Sequence, residues 1–276
     1  MKKKFVNAFL CLVLLGATSA SFSSCSKDDP EPQIEKPEPK PDGEGDKDDE
    51  GEPEDENAVV EIPDAALKDA IKEALELSSE EVTEADLLKL DELDVEGNAD
   101  IVDLTGLEKA SNLTKINLGE TSVTDLKPIA GLKKVNYLRV NDTKVADLSP
   151  VKDYTTLTYF NANTATEITD ISPLAGNKDL QELILREVPM GNAGLDVIAN
   201  FKKLYRLNIR ETGITDITVL GDLMKAGALL KTTAGAEEAG KDAEIDLKDN
   251  DIESFDPIAS FVEDGTAVSV AGYPKK

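Results

Sequence analysis

One short phrase recurs seven times between Leu90 and Phe261: an apolar residue, two variable residues, an apolar residue, one variable residue, an apolar residue. Its copies begin at Leu90, Leu113, Val135, Leu157, Leu180, Leu204 and Asp242, at successive spacings of 23, 22, 22, 23, 24 and 38 residues. A unit this short cannot bury its apolar side chains alone and must stack on copies of itself. The phrase also sorts its residues. The apolar positions are core, and the variable residues that alternate with them face the other way.

An L-x-x-L-x-L phrase with a period in the low twenties is the signature of a leucine-rich repeat solenoid. The expected fold is α/β: a curved right-handed superhelix of about seven coils over residues 90–262, with a parallel concave sheet and an N-terminal helical cap over 58–89. The core triplets run from Leu90, Leu93 and Val95 through Leu157, Phe160 and Ala162 to Leu204, Leu207 and Ile209; the seventh coil keeps Ile245 and Leu247 but opens on Asp242. Asn98, Thr121, Thr143, Thr212 and Asn250 stand three residues past the last strand apolar, where a side chain can satisfy turn backbone. Asp125, Asp147, Asp170 and Asp216 recur once per coil. They are read as starts of turns or short 3₁₀ segments on the convex side, not as metal ligands. Pro128, Pro150, Pro173 and Pro257 follow and pre-set those segments.

At the amino end of the repeats, Ile62-Pro63-Asp64 opens a helical pattern with stripes at Leu67, Ile71, Leu75 and Ala66, Ala70, Ala74. Thr83 can cap a second short helix carrying Leu87, Leu88 and Leu90. A solenoid exposes apolar core at each end, so caps are expected. Residues 263–276 form the C-terminal end, where Ala267-Val-Ser-Val270 can add an edge strand. Three coils depart from the pattern. The fourth gains a residue near Ala162–Thr166, the fifth has a more helical return (Leu195, Ile198, Phe201), and the sixth carries an insertion from Leu223 to Lys241.

The amino-terminal quarter is an address. Lys2, Lys3 and Lys4 precede an apolar run from Phe5 to Gly16, too short to cross a bilayer, so residues 1–24 read as an export signal. An A-x-A-like site near Ala17–Ala20 would release a soluble protein. Ser23-Ser24-Cys25 instead forms a lipobox, with Cys25 as the lipidated first residue of the mature chain. The second reading is preferred, because Cys25 would be the only cysteine left and two acyl chains anchor stably. Cys25-Ser26-Lys27-Asp28-Asp29 resembles the lipoprotein export signal of Bacteroidota, which implies an outer-membrane lipoprotein facing the cell surface. Residues 25–57 then form a linker. Its stretch from 26 to 57 holds 15 Asp or Glu, 4 Lys and 6 Pro with almost no apolar side chain, the composition of an extended spacer.

Composition narrows function. The chain has no histidine and two cysteines, which argues against most catalytic triads, zinc sites and redox pairs. No catalytic residue, metal or cofactor is assigned. A net charge of −26 makes nucleic acid an unfit partner and favours a monomer.

The helical cap beginning Ile62-Pro63-Asp64-Ala65-Ala66-Leu67 leads directly into coils of the form Leu113-x-x-Ile116-x-Leu118-x-x-Thr121-x-Val123-x-Asp125-Leu126-x-Pro128-Ile129-x-x-Leu132. Over about residues 58–262 this combination resembles the internalin-type leucine-rich repeat family. The resemblance implies a non-catalytic binding protein displayed on a bacterial surface, using its concave face. This chain differs in having few turn asparagines and an irregular fifth coil.

Three variable residues per coil project onto that face. Four coils supply Tyr137, Arg139 and Asn141, then Tyr159, Asn161 and Asn163, then Glu182, Ile184 and Arg186, then Arg206, Asn208 and Arg210. The others supply Glu92, Asp94 and Glu96, then Lys115, Asn117 and Gly119, and finally Glu244, Asp246 and Lys248. All four arginines of the chain fall here, among 30 basic residues. Arg and Tyr are enriched in interface hot spots, so Tyr137, Arg139, Asn141, Tyr159, Asn161, Arg186, Arg206, Asn208 and Arg210 are expected to bind a protein or an acidic glycan. In the competing reading, Glu182, Glu187 and Glu211 neutralise Arg186, Arg206 and Arg210 within the sheet. A different function, as a structural or accessory subunit of an envelope complex, would place the contact on the insertion or the convex side.

Overall fold

The structure is a computed structural model, and it describes residues 57–263 and 268–274. The export signal, Cys25 and nearly all of the acidic linker lie outside the described residues.

Eight strands of three residues each form one sheet in strict chain order: β1 Glu92–Asp94, β2 Lys115–Asn117, β3 Tyr137–Arg139, β4 Tyr159–Asn161, β5 Glu182–Ile184, β6 Arg206–Asn208, β7 Glu244–Asp246 and β8 Ser269–Ala271. All pairs are parallel. The middle residues Leu93, Ile116, Leu138, Phe160, Leu183, Leu207, Ile245 and Val270 stand in one row. This is the register the repeat phase requires, because a slip by one residue would turn every leucine to solvent. The three apolar positions of the first six coils are buried, as are the return-path residues Val123, Leu126, Ile129 and their counterparts, in one continuous core.

Each turn is built the same way. The residue after the last display position is left-handed in all seven coils: Gly97, Glu120, Asp142, Thr164, Glu187, Glu211 and Asp249 have φ between 55° and 81°. From coil to coil its N–H bonds the carbonyl of the preceding position in the next coil, as in Glu120 to Asn141 and Glu187 to Arg210, both 2.9 Å. Thr121, Thr143 and Thr212 then donate Oγ1 to the carbonyl three residues back at 2.7–2.8 Å, and Asn250 does so through Nδ2 at 3.1 Å. The recurrent aspartates accept from the backbone two residues on and start the return segments, as Asp147 does from Ser149 N at 2.7 Å. That is the turn-starting role read from their spacing.

The cap is α1 Ala65–Ala74 and α2 Glu84–Leu87. Asp64 caps α1 by accepting from Leu67 N at 3.0 Å, and its other oxygen accepts from Val102 N and Asp103 N at 2.8 and 3.0 Å. One carboxylate therefore ties the cap to the first coil. Burial opposes ionisation of Asp64, but these backbone donors outweigh it and hold the carboxyl below the ordinary carboxylate range. Thr83 and Asp86 form a capping box on α2, which ends at Leu87, so Leu88 and Leu90 lie beyond the helix that the sequence pattern assigned them to.

The irregular coils carry longer helices: α3 Gly191–Ile198 in the fifth and α4 Thr218–Lys225 in the sixth. Leu223, read as the start of the insertion, belongs to α4 and is buried, so the extra chain begins after that helix. It forms α5 Ala234–Ala239 and returns to β7. Inserted Leu229 is buried and donates its N–H to the carbonyl of Leu204 at 2.6 Å. An inserted leucine thus stands beside Leu204 where the repeat offers only Asp242. The last helix, α6 Asp256–Glu263, packs on α4 at Gly221, where a Cβ would lie 2.4 Å from the Pro257 carbonyl oxygen. Glycine is required there by close approach. Among the described residues no helix is long and apolar enough to cross a membrane.

Candidate binding face

The sheet has one face on the core and one open, and the open face carries the display positions in three rows. The first row runs Glu92, Lys115, Tyr137, Tyr159, Glu182, Arg206, Glu244 along paired strand positions. The second runs Asp94, Asn117, Arg139, Asn161, Ile184, Asn208, Asp246. The third lies just past the strands and contains Glu96, Gly119, Asn141, Asn163, Arg186, Arg210 and Lys248. All nine residues expected to bind are thus brought to one surface.

Tyr137 and Tyr159 stack, with ring centroids 4.2 Å apart and planes 9° from parallel. Equivalent strand positions on adjacent strands are close enough for this. Burial, helped by the second ring, raises the Tyr137 phenol to about 12, so it is neutral and can donate at any physiological pH. Asn161 Nδ2 donates to the Tyr159 hydroxyl at 3.3 Å and its Oδ1 accepts from Asn163 N at 2.9 Å.

The arginines are not free. Arg139 donates Nη1 and Nη2 to Glu96 at 2.9 and 2.6 Å and Nε to Asn141 Oδ1 at 3.1 Å. This pair spans the second coil, which contributes only Gly119 there; a Cβ at Gly119 would sit 2.6 Å from Asn141 Oδ1. Arg206 pairs with Glu182 at 3.1 Å and Glu244 at 3.3 Å. Arg186 pairs with Glu187 at 2.6 Å and Arg210 with Asp249 at 2.5 Å. Within-sheet neutralisation therefore holds for all four: Glu187 and Glu182 pair with Arg186 and Arg206 as expected, and only Arg210 differs, taking Asp249 instead of Glu211. The engagement is uneven. Arg139 uses three of its nitrogens, whereas Arg186 and Arg210 each use one terminal nitrogen, and their Nε atoms are buried without an acceptor.

Glu182 is the centre of a network the sequence did not disclose. It is 7% exposed and accepts from Tyr205 Oη at 2.5 Å, from Arg206 and from Lys241 Nζ at 2.6 Å. Burial opposes its ionisation, and the donors from Lys241, Tyr205 and Arg206 outweigh that and hold its carboxyl below the ordinary range. Lys241 comes from the end of the insertion, so its approach to the fifth coil depends on a loop path that no repeat phase encodes. Asn141, Asn161 and Ile184, read as displayed, are likewise buried under neighbouring side chains.

Two shallow cavities open on this face. One of about 430 Å³ is lined by Tyr205, Arg206, Lys241, Glu244 and Ser269. The other, about 310 Å³, is lined by Glu92, Asp94, Lys115, Asn117, Tyr137 and Arg139. Among the described residues no cluster of acidic, histidine or cysteine side chains could hold a metal ion.

No protein-family model matches the chain, and no curated protein does. Solved structures do. An internalin (inlF) from Listeria monocytogenes aligns with a TM-score of 0.62 at 26% identity, covering 76% of this chain and 56% of that one. An internalin C2 (inlC2) from the same organism aligns with a TM-score of 0.61 at 25% identity, covering 76% of this chain and 94% of that one. This chain therefore spans little more than half the length of the first. Its described part is a leucine-rich repeat solenoid, structurally similar to these Listeria internalins.

Proposed function

We propose that this protein is a non-catalytic binding protein of the bacterial cell surface, anchored by acylated Cys25 and taking a protein ligand on the open face between β3 and β6. The observation that carries the reading is the assembly, on the side of the sheet the core does not use, of a stacked tyrosine pair and two arginines with unspent donors. Tyr and Arg are the side chains that anchor interfaces. Their stacking and ion pairs hold them in place before contact, which lowers the ordering cost of association. Arg186 and Arg210 are the anchors of choice, because each holds its acid through one terminal nitrogen, whereas Arg139 and Arg206 commit more of their nitrogens to internal partners.

A protein suits this face better than an acidic glycan. The three rows contain six acids and six bases, so the face has no net positive field to draw in a polyanion. The export signal, lipobox and acidic linker support an anchored, outward-facing protein, with the linker as spacer.

The test is photo-crosslinking on intact cells of the native host. A photoreactive residue replacing Asn208 on the open face should give a discrete protein adduct that Arg186→Ala together with Arg210→Ala abolishes. The same residue replacing Lys152 on the convex side should give none. An adduct from Lys152 alone would move the contact to the convex side and defeat the proposal. Loss of the protein on protease treatment of intact cells checks the orientation.

A further inference from the structure

The open face is electrically divided, and the division names a ligand group. In its fifth and sixth coils lie Arg186 and Arg210, with donors to spare, ahead of Glu244, Asp246 and Lys248 in the seventh. At its amino end, β1 and the turn after it contribute Glu92, Asp94 and Glu96, of which Glu92 and Asp94 line the cavity of about 310 Å³. The charges there do not balance. Lys115 is paired with Glu92, and Arg139 with Glu96 through two hydrogen bonds. Asp94 accepts only from neutral donors, Asn117 Nδ2 at 2.9 Å and Glu96 N at 3.1 Å. No cation reaches it among the described residues.

The same cavity has an aromatic wall. One face of the Tyr137 ring is covered by Tyr159 on the β4 side, so its other face looks toward β2 and the cavity. A uncompensated carboxylate beside an open tyrosine face is the environment a planar cation satisfies twice, by stacking on the ring and by hydrogen bonds to the acid. A guanidinium meets both demands better than an ammonium, because it is flat and donates in a fork. The volume sits at the small end of ligand pockets, enough for one side chain rather than a segment of chain.

We infer that this cavity receives an arginine side chain of the protein ligand, stacked on Tyr137 and bonded to Asp94. The inference rests on the open face being the binding surface. It also sets direction. Strands lie about 4.8 Å apart, so the cavity stands roughly 17 Å from the space between Arg186 and Arg210. A ligand with an arginine at one end of its contact surface and a carboxylate at the other docks in one orientation only.

The test titrates the full-length protein with Nα-acetyl-arginine N-methylamide, following amide shifts of Asp94, Asn117 and Tyr137 by NMR. The equally blocked citrulline, its neutral isostere, is the control. Saturable shifts are expected with arginine and binding about threefold to fivefold weaker with citrulline. Asp94→Asn and Tyr137→Leu should each weaken arginine binding by a similar factor, and Asp251→Asn, an exposed acid off this face, should leave it unchanged. Equal binding of arginine and citrulline, or Asp94→Asn binding like the parent, overturns the inference. So does saturable binding of methyl glucoside at the same amides that Asp94→Asn leaves intact, which would make the cavity a sugar site. An open face that crosslinks its ligand from position 208 yet ignores blocked arginine would keep the proposed function and lose only this anchor.

Discussion

The two faces of this one sheet are made from alternate residues of the same short strands, yet they obey different rules. The inward row is interchangeable: Leu93, Ile116, Leu138, Phe160, Leu183, Leu207 and Ile245 fill the same place in seven coils, and all are essentially inaccessible. Shape and transfer from water hold it together, so any well-fitting apolar residue serves. The open rows are individual. Their order comes from particular pairs, such as Glu96 with Arg139 across two coils, and each pair depends on its neighbours being what they are. Leu138→Ala should therefore cost about 3 kcal/mol, the transfer loss plus the cavity it leaves. Asn208→Ala, one strand position that merely supports the Arg210 N–H at 3.2 Å, should cost under about 1 kcal/mol. Urea unfolding of the two variants measures the contrast directly, and equal losses would break it.

Asp64 challenges the rule from the core side. It is a buried carboxylate, and it serves two parts of the chain at once. Asp64→Ala removes a helix cap and strands the Val102 and Asp103 N–H groups, at a cost of about 2 kcal/mol. Because its folded pKa lies below the ordinary 3.8, its contribution is fully present above that value and is lost as pH falls through the depressed folded one. The parent should lose stability on acidification below about pH 4 more steeply than Asp64→Asn, which cannot ionise. Parallel pH profiles would show that the carboxylate's charge is not what joins cap to coil.

Glu182 is the converse case, an open-face residue that behaves as core. Replacing it with glutamine keeps its shape but weakens the bonds from Tyr205, Arg206 and Lys241, for a loss of about 1–2 kcal/mol. A loss closer to that of Asn208→Ala would return Glu182 to the class of exposed ion pairs, which contribute little. Its depressed pKa gives the same sign of pH dependence as Asp64: stability present above the ordinary carboxylate range and lost in acid.

What could be read from the chain divides along the same line. Repetition exposed the inward rows, the parallel register, the turn threonines and the aspartates that start the returns, because each recurs from coil to coil in one geometry. The display positions followed from the phase, since strand alternation leaves no choice of side. What they do there did not follow. The reach of Arg139 past Gly119 to Glu96, the choice of Asp249 over Glu211 for Arg210, and Lys241 leaning over Glu182 are single events between coils. Nothing in the period distinguishes them from their alternatives. The stacking of Tyr137 on Tyr159 is intermediate: two tyrosines at one strand position on adjacent coils signal a contact, and the rotamers decide its form.

The left-handed row past the strands separates geometry from chemistry most finely. An L-residue there gives up roughly 1–2 kcal/mol that glycine does not, while glycine loses about 0.5–1 kcal/mol of chain entropy on folding. Only the first of the seven positions is glycine. At Glu187 and Asp249 the side chain offsets the strain by holding an arginine, and at Asp142 it accepts from Asn141 at 3.1 Å. Glu211, with φ of 56°, is exposed and makes no ion pair among the described residues. Its N–H bond to the Lys248 carbonyl, 3.0 Å, survives any substitution but proline. Glu211→Gly should therefore raise stability by about 0.5 kcal/mol, seen as a higher urea midpoint at unchanged slope. Glu187→Gly, which relieves the same strain but unpairs Arg186, should gain nothing. If both variants gained equally, the arginine pairs would be ornaments on a strained turn, and the open face would owe its order to the backbone alone.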